Sequence, residues 1–123
     1  MSGLLRWWRQ PDMQRTLNLT KSQVERLDTV FEKDRPERIA LRRKIAEMDR
    51  LLRRVVLRAN AEDVTVKRLS EQVEALRAQH NVRRTLMRFA IYRRLTPEQR
   101  AALARLQRTD GDMRSGPLRD SER

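Results

Sequence analysis

The pentapeptide Leu-Thr-x-x-Gln occurs twice, as Leu19-Thr20-Lys21-Ser22-Gln23 and as Leu95-Thr96-Pro97-Glu98-Gln99. Each copy has the form of a helix start. The Thr hydroxyl accepts from an orphan amide of the first turn, and the Gln three residues on reaches back to the Thr amide. In the second copy Pro97 falls at the first helical position, where its missing N–H costs nothing. In the first, Leu19 and Val24 are spaced as a hydrophobic staple, a place that Arg100 occupies in the second copy. A chain with two such starts, and few residues able to turn or break it between them, is committed to helices.

Between the boxes the apolar residues keep helical spacing. Val24, Leu27, Val30 and Phe31 form one face of a first helix beginning at Thr20. Pro36, with Asp34 as a plausible cap, predicts a break or kink near 33–35. A second segment to Arg58 carries Leu41, Ile45, Met48, Leu52 and Val55 at alternating steps of four and three. Asn60 to Asp63 makes a turn. A long helix then runs to about Arg93 with Val66, Leu69, Val73, Leu76, His80, Met87 and Ala90 in register, and Leu86 and Phe89 beside them. Both stripes are narrow seams of the kind that pair in antiparallel hairpins. The second box opens a last helix with Leu103 and Leu106 inward, and a short helical turn from Pro11 to about Leu17 precedes the first. The expected organisation is an N-terminal arm over 1–18, a helical domain over 19–108 and a disordered tail over 109–123.

The doubled box, the approach Trp7-Trp8-Arg9-Gln10-Pro11, the Ala59-Asn60-Ala61-Glu62-Asp63 turn and the run Tyr92 to Arg100 together resemble the Spy/CpxP family of periplasmic proteins, often called the LTxxQ family. The resemblance covers roughly Trp7 to Gln107. It implies an all-α fold: an elongated antiparallel hairpin of two long helices flanked by two short ones, assembled as a cradle-like homodimer. Ile39, Leu51, Val56 and Leu57, apolar but off the seam, independently ask for a partner, and a second copy is the simplest. The resemblance places the protein in the periplasm. Met1 to Arg6 offers neither an apolar run nor a cleavage site, so an export signal has been removed, or the protein is cytoplasmic. No segment is apolar enough to span a bilayer.

Composition narrows the function. Charged residues make up 37% of the chain against 4% aromatic, and the net charge is +12. Of its 29 basic residues only Lys21, Lys33, Lys44 and Lys67 are lysine. Such a chain is drawn to acidic segments and polyanions. The absence of cysteine excludes disulfide and thiolate chemistry. No nucleophile has a positioned base and no glycine loop could cradle phosphate, so no catalytic residues and no cofactor are expected.

His80, the lone histidine, is a weak metal candidate, since neither Cys nor a second His exists to join it. Arg43, Arg50, Arg54 and Arg58 fall along one flank of the second segment, close to Leu51 and Leu57. Lys67, Arg77, Arg84 and Arg88 are likewise interleaved with apolar positions on the following helix. A mixed surface of this kind suits weak capture of many sequences, with charge acting at long range and apolar contact following. The resemblance implies an ATP-independent periplasmic chaperone or stress-response protein, and such a surface would let it transiently bind unfolded or misfolded chains on a basic and apolar concave face. An envelope sensor protein is a further candidate partner. The alternatives are a heavy-metal sensor or metal-resistance protein on the same fold, and a cytoplasmic nucleic-acid binder. Nucleic acid is disfavoured because the basic residues spread along long helices without a recognition motif.

Overall fold

The structure, a computed structural model, describes residues 6–114. A single 3-10 turn, Trp7–Arg9, precedes four α-helices: α1 (Pro11–Thr16), α2 (Lys21–Arg58), α3 (Asp63–Tyr92) and α4 (Pro97–Arg114). Among the described residues there is no strand, so the fold is all-α as expected. The helix α4 continues past the point where a tail was expected to begin, and residues 115–123 of that tail lie outside the described residues. The chain forms two compact units. One combines the residues up to Asp28 with those from Ala90 onward, and the other is Thr29–Phe89.

In the first unit, Pro11 opens α1 at a position that needs no amide. Its C-terminus is closed by a Schellman arrangement in which Leu19 N–H donates to Gln14 O at 2.9 Å and Asn18 N–H to Arg15 O at 3.1 Å. Asn18 takes the left-handed conformation this requires, φ 52°, which Asn tolerates better than most residues. Trp8 is 1% exposed, and its indole N–H donates to Asp28 Oδ1 at 2.9 Å. Arg9 pairs with the other oxygen of that carboxylate at 3.2 Å. The second tryptophan of the pair is thus packed into the unit, and Trp7 meets it edge to face at 5.6 Å. Leu17, Val24, Leu27, Ile91, Leu95 and Leu103 complete the buried apolar set, whereas Leu106, expected inward, is 38% exposed.

Both capping boxes form. Gln23 N–H donates to Thr20 Oγ1 and Thr20 N–H to Gln23 Oε1, each at 3.0 Å. Thr96 and Gln99 repeat the exchange at 2.9 and 3.1 Å. The two glutamines then bond each other. Gln23 Nε2 donates to Gln99 Oε1 at 2.7 Å, and Gln99 Nε2 returns the bond to Gln23 Oε1 at 3.0 Å. Each amide also reaches the backbone just ahead of the other box: Gln99 to Leu17 O and Asn18 O, at 3.1 and 3.3 Å, and Gln23 to Arg94 O at 3.5 Å. Asn18 and Arg94 hold the same place before their Leu-Thr pairs, so the arrangement has approximate two-fold symmetry. Two local caps become one tertiary clasp.

The second unit is an antiparallel hairpin of α2 and α3. Val73 and Met87 are buried, and Leu41, Ile45, Met48, Leu52 and Val55 are half-buried along the facing stripe of α2. Of the break or kink expected near 33–35, the break is absent, because α2 runs unbroken with Pro36 inside it. An internal proline costs about 3 kcal/mol, and the surroundings offset it. Arg38, 7% exposed, lies over the Phe31 ring at 4.1 Å and donates to Phe31 O at 3.4 Å and Asp34 Oδ2 at 3.2 Å. From α3, Arg83 pairs with Asp34 and, at 2.9 Å, with Glu37. The turn of helix around the proline is braced on both sides.

At the far end, α2 stops at Ala59, whose φ of 58° is left-handed. A side chain with a Cβ is strained there by about 1–2 kcal/mol. Ala59→Gly should therefore stabilise the protein by about 0.5–1 kcal/mol after the extra freedom glycine gives the unfolded chain. A urea denaturation midpoint unchanged or lowered by the substitution would contradict this assignment.

Candidate functional site

Along α3 the residues Ala75, Ala78, Val82, Leu86 and Phe89 recur at steps of three and four, on the face opposite the buried stripe. All five are exposed, the last three at 58, 59 and 60%. The row spans about 21 Å at the rise of an α-helix. Leu86 and Phe89 read from sequence as lying beside the seam, but the side chains turn outward. Only their phase relative to Val82 could have separated the two faces.

The basic residues singled out in the sequence divide into two sets. Arg43, Arg50 and Arg54 share the outward face of α2, with Leu57, 86% exposed, next in line and Arg58 at the helix end. Leu51 is half-buried on their flank, and Lys67 is exposed near the start of α3. None of these cations has an ion-pair partner among the described residues. Arg77 is engaged instead, with Asp49 at 3.3 Å and Glu74 at 3.5 Å. Arg84 is half-buried, and Arg88 makes one long contact with Thr85 Oγ1 at 3.5 Å. The structure therefore keeps the Arg43–Arg50–Arg54 row as an exposed cationic face, while Arg77 belongs to the hairpin's internal pairing.

A groove in the hairpin is lined from α2 by Arg42, Ile45, Ala46, Asp49 and Arg53 and from α3 by Arg77, His80 and Asn81. The half-buried Asp49 is held by Arg53 at 2.7 Å as well as by Arg77. Burial lowers the His80 pKa from its ordinary value, and the charges of Arg84, Arg42, Arg83 and Arg38 lower it further. The imidazole is therefore neutral at pH 7. Its Nδ1 is buried without a hydrogen-bond partner. Among the described residues no group of three or more His, Cys, Asp or Glu side chains could hold a metal ion.

No described helix is long and apolar enough to cross a membrane. A family model described as "LTXXQ motif family protein" matches residues 6–107. Neither the curated proteins nor the solved structures contain a match to the chain. The match spans both capping boxes and the hairpin between them.

Proposed function

This chain belongs to the LTXXQ motif family, and from that membership we propose that it is an ATP-independent chaperone of the periplasm that captures unfolded protein on the exposed faces of the hairpin. The observation that carries this reading is the outward apolar row Val82, Leu86 and Phe89, together with the unpaired arginines of α2. Burying what remains exposed of each of those three side chains is worth about 1–1.5 kcal/mol. Such contacts are too weak to trap a folded partner and are satisfied by many apolar sequences, which suits transient capture. The arginines add attraction at long range and favour acidic clients. We further propose that the working form is a homodimer, which would cover part of the apolar surface a single hairpin leaves in water.

The test is suppression of aggregation of a chemically denatured client, without ATP, at low and at near-physiological salt. Protection that persists with salt supports the reading. Protection that collapses with salt, alongside tight binding of RNA, overturns it. Reversing Arg50 and Arg54 together to glutamate should weaken protection of an acidic client several-fold at low salt, and the difference should narrow as salt rises. Identical protection by the reversed variant at low salt would remove the α2 face from the site.

A further inference from the structure

We propose that the groove at His80 is a binding site for an oxyanion of the sulfate or phosphate class, with Arg42 and Arg84 as its cationic ligands and His80 as a donor that takes up a proton when the anion binds. Arg42 reaches the groove from α2, and Arg84 lies one turn beyond His80 on α3. Neither guanidinium has a hydrogen-bond or ion-pair partner among the described residues. The other cations near the histidine have carboxylate partners, Arg38 and Arg83 in Asp34 and Glu37 and Arg53 and Arg77 in Asp49, although Arg83 Nε is itself buried without a partner. That leaves two guanidinium forks with nothing to pair. Of the two, Arg42 lines the groove together with His80, whose buried Nδ1 bonds nothing among the described residues. The side-chain amide of Asn81, also on the groove wall, adds a further unengaged donor.

Arginine forks match tetrahedral oxyanions in shape and charge. Asp49 is the one carboxylate lining the groove, and its two arginine partners neutralise it toward an incoming anion. Asp49, Arg53 and Arg77 share the groove with His80, and the charges that act on its ring are Arg83 and Arg84 from its own helix and Arg38 and Arg42 from α2. All four oppose a proton on the ring. An anion bound by Arg42 and Arg84 reverses that field and makes the imidazolium favourable, so anion and proton bind with mutual reinforcement. Affinity for a dianion should accordingly rise as pH falls, and go on rising below the ordinary histidine value, because the free ring takes up its proton only beneath it.

His80 is the only histidine, so its ring protons give a single resolved reporter in a proton NMR spectrum. Sodium sulfate, whose charge is constant over this interval, is titrated against sodium chloride at equal ionic strength. The expected result is a saturable shift of the His80 signals with sulfate alone and an upward move of the histidine titration midpoint. Arg42→Gln should weaken binding on the order of tenfold, and pairing it with Arg84→Gln should abolish the shift. Vesicles of phosphatidylglycerol against phosphatidylcholine form a second arm. A shift with the anionic vesicles would assign the oxyanion to a lipid headgroup, and a shift with sulfate to a free ion. No difference between sulfate and chloride together with no response to vesicles, or an undiminished shift in the double variant, overturns the proposal. The readout needs no client protein and stands apart from the chaperone reading.

Discussion

Replacing Gln99 with alanine should lower stability by about 3–4 kcal/mol, the combined effect of several buried polar groups losing their partners at once. The Gln99 side chain accepts from its own Thr96 amide, exchanges two bonds with Gln23 and donates to Leu17 O and Asn18 O. Its loss breaks half of a capping box, worth about 1 kcal/mol. It also strands the carbonyl of Leu17, a residue only 3% exposed, and leaves the Gln23 amide without its counterpart, at about 1–3 kcal/mol per buried group. Trp7 and Trp8 lie in the same compact unit, so tryptophan fluorescence in a urea titration reads this loss directly. Gln23→Ala should lose less, because Gln23 is less buried and its remaining bond, to Arg94 O, is long. In the double variant the losses should fall short of additive by about 1–2 kcal/mol. Strict additivity, or a loss below about 1 kcal/mol for Gln99→Ala, would mean that the clasp is an incidental contact and the boxes act only as local caps.

The second large effect concerns capture. Leu86→Gln with Phe89→Gln removes most of the apolar area of the outward row while keeping side chains that suit a helix. The lost contact is about 2 kcal/mol, or roughly thirtyfold in client affinity. The concentration giving half-maximal protection from aggregation should rise by that factor, with far-ultraviolet circular dichroism and thermal midpoint unchanged. Equal protection by the double variant would show that clients bind elsewhere. A collapsed thermal midpoint would show instead that this face holds the fold together. The two substitutions lie in the hairpin unit and the glutamine pair lies in the other compact unit, so the two experiments probe different units.

Much of this was legible from residue order, and the limits have physical causes. The helix starts at Thr20 and Thr96 could be read because a capping box is a local object, complete within four residues. That Gln23 and Gln99 bond each other could not, since nothing local sets a contact across 76 positions. The repetition of the box was the one available hint. Pro36 was over-read for a related reason. Its helix penalty is a property of one residue, whereas the bracing by Arg38, Asp34 and Arg83 needs the neighbouring helix in place. The stripe from Val66 to Ala90 could be followed on α3, yet the outward turn of Leu86 and Phe89 was not, because apolar residues on two faces blur the period. At the candidate site, the exposed row Arg43, Arg50 and Arg54 follows from spacing alone. The pairing of Arg77 with Asp49, and the orphaned Nδ1 of His80, depend on which flank of each helix meets the other.

The distance in sequence between the clasped glutamines also bears on how the chain folds and comes apart. Closing a loop of that length costs about 4 kcal/mol in chain entropy, before any constant for stiffness. The α2–α3 hairpin pays no comparable penalty, because its first contacts form across the short turn at 59–62 and spread outward. The amide pair is then a late event on the folding route and an early one to be lost. Contacts made after the rate-limiting step govern the lifetime of the native state and leave the speed of reaching it almost untouched. In this protein the repeated pentapeptide sets how long the fold lasts, and the hairpin between its copies sets how fast it appears.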